Sequence, residues 1–188
     1  MHQSTVGTEN TMIEEKDIRR IVGNQKEYRD LVFQRGYLIT TSDVTLCQDF
    51  LLEKWRKVQG GRFTFWCHPN TSFYSKSAGN STFFLIGHAY NPSTGCYIED
   101  CILDEASIAH SRGSDEYQDY IDSLTGVFLI GIITDTDIHF QLDPVAMSTT
   151  YCGIIGENLF VTSHCNLVAL IRKLTRNPFV DELVSYKY

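Results

Sequence analysis

The sequence predicts an α+β domain in which sheet dominates. Six or seven short segments have the apolar or alternating pattern of strands, and the predicted helices fall into two groups instead of alternating with single strands. Phe and Tyr are abundant, with 11 and 10 copies, and aromatic and β-branched residues favour strands. A length of 188 residues and an apolar content of 43% suit one domain with a well-filled core.

The segment before the first strand predicts a tail and one short helix. Residues 1 to 16 are polar and unpatterned, which is typical of a loose tail. Apolar residues at irregular helical spacing over residues 15–33 predict an amphipathic helix that is broken near Gly23 and ends at Gly36. We therefore expect residues 1–36 to precede a domain that occupies residues 37–188.

The next segment predicts a strand, a helix, a second strand and a loop. Residues 37–41 have the composition of a strand, and residues 44–59 carry apolar side chains at helical intervals before a pair of glycines. An alternating strand is predicted over residues 62–67. Residues 70–81 are rich in Ser, Asn and Gly and predict a loop.

Two continuous apolar runs, residues 82–87 and 126–134, predict strands that are buried on both faces. Between them, residues 101–121 predict a polar helical region that is interrupted at Gly113. Three further strands joined by hairpin-like turns, and then a last helix, are predicted at residues 138–142, 149–154, 159–162 and 166–175.

Composition excludes several classes of protein. The formal charge of −7 and the lack of a Lys- or Arg-rich cluster disfavour nucleic-acid binding, which needs a basic surface. No run approaches the roughly 20 apolar residues of a membrane-spanning helix, and the polar N-terminus lacks the pattern of a signal peptide. We therefore predict a cytoplasmic protein that binds neither nucleic acid nor membrane. In that compartment the six cysteines are expected to be reduced thiols, most of them buried.

The common motifs for metal binding, nucleotide binding and serine hydrolysis are missing from the sequence. There is no Cys-x-x-Cys, so no metal site is predicted, although the pairs Cys67-His68 and His164-Cys165 could each supply a ligand. The two Gly-rich loops that bind phosphates, Gly-x-x-x-x-Gly-Lys-Ser/Thr and Gly-x-Gly-x-x-Gly, are both missing, and there is no Gly-x-Ser-x-Gly. Ser163 and His164 are expected on opposite faces of a strand, which would prevent them from acting as a nucleophile and its base.

Four segments carry a resemblance to one known family. They are residues 87–91 (Gly-His-Ala-Tyr-Asn), 124–128 (Leu-Thr-Gly-Val-Phe), 142–144 (Leu-Asp-Pro) with Tyr151 downstream, and 158–164 (Asn-Leu-Phe-Val-Thr-Ser-His). Their order and spacing resemble the N-terminal class II glutamine amidotransferase domain of the asparagine synthetase-like family. The resemblance implies a four-layer αββα sandwich, in which two stacked antiparallel sheets lie between helix layers, as in the N-terminal-nucleophile (Ntn) hydrolases.

The same resemblance implies that the glutaminase site is degenerate. The family's nucleophile is a Cys at the mature N-terminus, and its own free amine acts as the base. Here the corresponding strand, residues 37–41, contains no Cys and is preceded by 36 residues. The Asn that would stabilise the oxyanion is Ile86, the Glu after the glycine is His88, and the segment that holds the glutamine carboxylate has no counterpart. No catalytic residue is therefore predicted.

The leading hypothesis is a glutaminase-inactive domain that serves as the structural partner of an asparagine synthetase-type, ATP-dependent amide-forming domain. That domain would follow Tyr188, because the ending of the chain is apolar and helix-like, or would lie on another chain. ATP and Mg²⁺ are implied only for the synthetase domain, and no cofactor is predicted for this chain. One alternative is a free-standing ligand-binding or interaction module on the same scaffold. Its vestigial glutamine pocket would be formed by Gly87, His88, Tyr90 and Asn91.

A second alternative is an active Ntn amidohydrolase. In that hypothesis, processing of the chain near Thr40–Ser42 would expose a new N-terminal nucleophile.

Overall fold

The computed structural model describes residues 15–44, 46 and 51–174, and these contain nine strands, four α-helices and a 3-10 helix. The strands are β1 (Tyr37–Thr40), β2 (Arg56–Gly60), β3 (Phe63–Cys67), β4 (Phe73–Ala78), β5 (Ser81–Tyr90), β6 (Thr125–Ile133), β7 (Ile138–Leu142), β8 (Tyr151–Ile155) and β9 (Asn158–Thr162). The helices are α1 (Glu15–Asn24), the 3-10 helix (Lys26–Leu31), α2 (Glu99–Arg112), α3 (Ser114–Ser123) and α4 (Cys165–Arg172).

The strands form two antiparallel sheets. One has five strands in the order β2-β3-β1-β9-β8, and the other has four in the order β4-β5-β6-β7. In the first sheet β1 is central, with Ile39 opposite Phe65 of β3 and Val161 of β9. In the second sheet the longest pairing joins β5 to β6, from Thr82 opposite Ile133 to Tyr90 opposite Thr125.

Three hydrophobic clusters show that the sheets are stacked between helices. Alternate residues of β5 point to opposite faces, so that Phe84 packs in the cluster between the sheets and Phe83 packs in the cluster beneath α2 and α3. In the same way Leu38 of β1 joins the cluster on the other outer face, which includes Leu167 of α4. The chain is therefore a four-layer αββα sandwich, and the fold class predicted from the sequence is confirmed.

The apolar runs and the interrupted helical region occur where the sequence predicts them. Strands β3, β5, β6, β7, β8 and β9 overlap the predicted strands, and the helical region divides at Gly113 into α2 and α3. The polar tail lies mostly outside the described residues. In the segment before β1, Val22 of α1 is 3% exposed and belongs to the outer cluster that contains Leu38. Part of the segment that precedes β1 thus contributes to the core.

Two predictions of secondary structure are wrong. The helix over residues 44–59 is replaced, at its end, by β2, while residues 45 and 47–50 lie outside the described part. The predicted loop over residues 70–81 contains β4. Each strand lies at the edge of its sheet and is largely exposed, so backbone pairing stabilises it without an apolar pattern in the sequence.

The thiols are also less buried than predicted. Cys67 is buried, and burial raises the pKa of its thiol to about 12. Cys96 and Cys101 are only half-buried, and Cys152 and Cys165 are exposed. The exposed pair lies on the edge strand β8 and in the first turn of α4, where neither side chain faces a core. Cys47 lies outside the described residues.

Within residues 15–44, 46 and 51–174, none of the helices combines the length and the apolar character that crossing a bilayer requires.

Candidate functional site

A cavity of about 580 Å³ opens at one end of the sandwich. Its walls come from the start of β1, the residues just before β4, the second half of β5 and the first half of β6. Three of the four residues predicted to form a vestigial pocket, Gly87, His88 and Tyr90, line this cavity. They do so because they occupy the end of β5, where the buried run of the strand gives way to positions that are partly or fully exposed.

The fourth predicted residue, Asn91, points elsewhere. Its side chain is 4% exposed, donates a hydrogen bond of 2.7 Å to Glu105, and accepts one of 2.9 Å from the backbone of Ser93. These contacts close the turn after β5 and join it to α2. The structure therefore does not place Asn91 with the other three residues.

Two glycines allow β5 and β6 to approach closely at the cavity wall. Gly87 has a φ of +98°, and a Cβ built there would lie 2.2 Å from the backbone oxygen of Val127. Gly126 has a φ of +133°, and its Cβ would lie 2.3 Å from the backbone oxygen of His88. A side chain at either position would be strained and would push the two strands apart. The glycines thereby fix the position of His88.

A serine, a histidine and a glutamate form a hydrogen-bonded chain in this cavity. Nε2 of His88 lies 3.0 Å from Oγ of Ser72, and Nδ1 lies 2.6 Å from Oε1 of Glu99. The Glu99 side chain is 17% exposed and the His88 side chain 69%. Glu99 also begins α2, where the helix dipole favours a negative charge. This order of groups is the one that activates a serine in serine hydrolases.

Sequence reasoning did not find Ser72 and Glu99. They are 16 and 11 positions away from His88, and Ser72 lies in the segment predicted as a loop. No local pattern links residues at those separations. A backbone bond of 3.0 Å from Gly87 to the oxygen of Ser72, beside the pairing of β4 with β5, brings Ser72 to His88. The start of α2 brings Glu99 to the other side of the ring.

The start of β1 is the position where the family resemblance places the nucleophile. Tyr37 occupies it, and burial raises the pKa of its hydroxyl. Its backbone nitrogen is a peptide amide that donates a hydrogen bond of 2.9 Å to Oγ of Ser163, and its backbone oxygen accepts one of 2.8 Å from Thr162. A peptide amide is not a base, so this position has neither a nucleophile nor the free amine that the Ntn mechanism uses.

The side chains of Ser163 and His164 do meet, contrary to the prediction. Oγ of Ser163 lies 2.8 Å from Nδ1 of His164, because β9 ends at Thr162 and the chain bends before α4 begins. Burial, and next to it the charge of His68, lowers the pKa of His164. Neither residue lines the cavity, and Oγ of Ser163 already accepts a hydrogen bond from the backbone amide of Tyr37. We infer that the pair stabilises the position of β1.

One group of side chains in the described residues could hold a metal ion. The sulfurs of Cys96 and Cys101 and a carboxylate oxygen of Glu105 lie within 4.8 Å of one another. The hydrogen bond with the Cys96 thiol, and then burial, raise the pKa of the Cys101 thiol to about 11. The sequence predicted no metal site because these cysteines are five positions apart and do not form a Cys-x-x-Cys motif.

Among the comparisons with known proteins, only the search of solved structures gave matches. No protein-family model matches the sequence, and the search of curated proteins found no match. Among solved structures, the chain is similar to a glutamine phosphoribosylpyrophosphate (PRPP) amidotransferase from B. subtilis complexed with ADP and GMP, with 15% identity and a TM-score of 0.44. The alignment covers 79% of this chain and 40% of that chain.

Proposed function

We propose that this chain is a glutaminase-inactive, class II amidotransferase-like domain, and that it serves as the structural partner of an asparagine synthetase-type, ATP-dependent amide-forming domain. The synthetase domain would belong to the same chain or to another one. ATP and Mg²⁺ would bind to that domain and not to this one.

The proposal rests on the residue that occupies the start of β1. Tyr37 stands in place of a nucleophile, and its nitrogen is a hydrogen-bonded peptide amide. A side-chain donor for the oxyanion is also missing, because the residue before Gly87 is the apolar, buried Ile86 where the family has an Asn. Removing one such donor typically slows an enzyme about 10²–10³-fold. The cavity remains, but the groups that would hydrolyse glutamine by the Ntn mechanism do not.

The apolar surface around the cavity supports a docking role. Tyr90, Tyr97 and Val127 line the cavity and are 39%, 72% and 48% exposed. The neighbouring Ile98 is 56% exposed. Exposed apolar side chains that adjoin one another mark interaction sites. We therefore place the partner domain over the mouth of the cavity.

The experiment has two readouts. Purified chain is incubated with glutamine, and ammonia release and intact mass are measured on the same sample; no release from an unprocessed chain is expected. Tagged chain is then captured from its source cells and assayed for ATP consumption that depends on ammonia. Wild type should carry this activity and Tyr97→Asp should not. Tyr28→Asp is the matched control, because Tyr28 is 42% exposed on the 3-10 helix and does not line the cavity. Captured material without ammonia-dependent ATP consumption would contradict the partner assignment.

The hydrogen-bonded chain in the cavity favours a second candidate function, a serine-type hydrolase. In it, Oγ of Ser72 attacks an acyl carbonyl, Nε2 of His88 takes the hydroxyl proton, and Glu99 stabilises the resulting imidazolium. The proton then passes from His88 to the leaving group, and water releases the acyl group from the serine.

A fluorophosphonate probe distinguishes the two candidates, because it labels only an activated serine. The hydrolase predicts labelling at Ser72 that is lost in Ser72→Ala and His88→Ala but retained in Ser163→Ala. The serine in this control also has a histidine neighbour but lies outside the cavity. The inactive domain predicts no labelling of the wild type.

A further inference from the structure

The turn after β5 and the first two turns of α2 bring together three side chains that bind metals. Cys96 closes the turn, where its backbone oxygen accepts a hydrogen bond of 2.8 Å from Asn91. Cys101 and Glu105 lie four positions apart on α2 and therefore on the same face of the helix. Sγ of Cys101 is 3.9 Å from Oε1 of Glu105, and all three ligand atoms lie within 4.8 Å of one another.

The carboxylate is oriented by two donors that both bind its other oxygen. Oε2 of Glu105 accepts hydrogen bonds of 2.7 Å from Nδ2 of Asn91 and 3.1 Å from the hydroxyl of Tyr120. Oε1 is left directed toward the sulfur of Cys101. Partners of this kind hold a metal-binding carboxylate in place and raise the affinity of the site.

The scaffold around the three ligands is well packed. Cys96 and Tyr120 both pack against the core cluster beneath α2 and α3. The ligand side chains themselves are half-buried, which leaves access from solvent. The turn and the helix therefore hold the ligands at fixed positions and still permit an ion to enter.

We propose that Cys96, Cys101 and Glu105 form a binding site for one divalent metal ion of the zinc type. Two thiolates favour soft and borderline ions over Mg²⁺ or Ca²⁺. Around tetrahedral zinc, two sulfurs lie about 3.8 Å apart and a sulfur and an oxygen about 3.5 Å apart, given bonds of about 2.3 and 2.0–2.2 Å. The present distances, up to 4.8 Å, need only small side-chain rotations to reach these values.

A water molecule would complete the tetrahedral coordination, as in sites with three protein ligands. The site does not depend on the proposed function, because none of its ligands lines the cavity. It would fix the turn after β5 to α2, and α2 begins with Glu99, which does line the cavity. Metal binding would thus stabilise the cavity wall.

The test uses Co²⁺, whose absorption reports its ligands. Fully reduced chain is titrated with Co²⁺ under anaerobic conditions and then with Zn²⁺. The expected result is one Co²⁺ per chain, with the visible bands of tetrahedral coordination and a thiolate-to-metal charge-transfer band, all abolished when Zn²⁺ displaces it. Cys96→Ser and Cys101→Ser should remove the charge-transfer band. Tyr120→Phe, which removes one donor to Glu105, should weaken affinity about 10–100-fold without changing the stoichiometry.

Cys152→Ser is the matched control, since this exposed thiol lies on β8 and outside the group; its titration should equal that of wild type. The proposal is overturned if the reduced chain gives no tetrahedral Co²⁺ spectrum. It is also overturned if Cys96→Ser binds as wild type does. A third outcome would also overturn it: Cys96 and Cys101 form a disulfide in air, and the reduced chain binds neither Co²⁺ nor Zn²⁺. The two cysteines would then be a redox pair and not metal ligands. Peptide mass mapping detects that outcome.

Discussion

Replacing Gly87 by alanine tests how tightly the cavity wall is built. At this position the φ of +98° is one that an L-residue adopts at a cost of about 1–3 kcal/mol. The new Cβ would also lie 2.2 Å from the backbone oxygen of Val127 and 3.2 Å from Cα of Phe128. Because both neighbours are backbone atoms, the strands must separate, and overpacking of this kind costs a further ~1–3 kcal/mol. We expect Gly87→Ala to lower the free energy of unfolding by about 2–6 kcal/mol in total.

Urea unfolding followed by tryptophan fluorescence measures this change, because Trp55 and Trp66 are both buried, at 4% and 3% exposure. Gly79→Ala is the matched control. It has a φ of +60° in the turn between β4 and β5, but a Cβ there meets nothing within 4 Å. It should therefore cost only the conformational part, about 1–2 kcal/mol. If the two variants unfold at the same urea concentration, the close approach of β5 and β6 at Gly87 is not as described.

Three further outcomes are expected. Ile121→Ala, which truncates a fully buried side chain of α3, should lower the free energy of unfolding by about 2–5 kcal/mol in the same urea assay. Burial holds the pKa values of His68 and His164 below their ordinary range, so the unfolded chain takes up protons first as the pH falls. Stability should therefore decrease as the pH falls through the ordinary histidine pKa of about 6.5, by at most about 1.4 kcal/mol per pH unit for each histidine. The double variant with Gln at both positions should lose part of this dependence, and an unchanged slope would refute the assignment. Cys67, whose thiol pKa is raised to about 12, should react with a maleimide far more slowly than the exposed Cys152, and equal rates in the folded protein would contradict its burial.

The buried strands could be predicted because each of them faces two hydrophobic clusters. Residues 83–86 of β5 send alternate side chains to the cluster between the sheets and to the cluster beneath α2 and α3. A strand packed on both faces must be apolar at consecutive positions, and this leaves a signal in the sequence. The same reasoning applies to β6, whose residues 128–133 are all buried.

The edge strands could not be predicted in this way. In β4 the residues from Ser75 to Ala78 are exposed, and in β2 only Val58 and Gly60 are partly covered. Both strands are stabilised by backbone pairing with the strand that follows them after a two-residue turn, and this pairing requires no apolar side chains. The apolar residues Leu51 and Trp55 suggested a helix before β2, but they are buried in the turn that packs on the outer core.

The site was only partly predictable for a related reason. Gly87, His88 and Tyr90 were predicted because residues 87–91 resemble a segment of a known family, whereas Ser72 and Glu99 reach His88 through sheet pairing and the start of a helix. Asn91 was grouped with them because it ends the same resembling segment. Its side chain turns toward Glu105 instead, since the chain reverses direction after β5. Side chains alternate between the two faces within a strand, but this alternation no longer predicts where a side chain points in the turn that follows.

The thiol group shows how a turn and a helix can assemble ligands without a motif. Cys96 and Cys101 are separated by four residues, and a close approach depends on the reversal between Asn91 and Cys96. The third ligand, Glu105, is placed by helical periodicity. A search of the sequence for Cys-x-x-Cys therefore misses this group.

Release of ammonia from glutamine is the measurement that tests the central claim most directly. Purified chain should release no more ammonia than the same chain after heat denaturation, and its intact mass should be that of all 188 residues. This is the result expected if Tyr37 stands where a nucleophile would be required. Release above that background would contradict the account. Loss of the release in Ser72→Ala would then assign it to the serine in the cavity, and a shortened chain would identify its new N-terminal residue as the nucleophile.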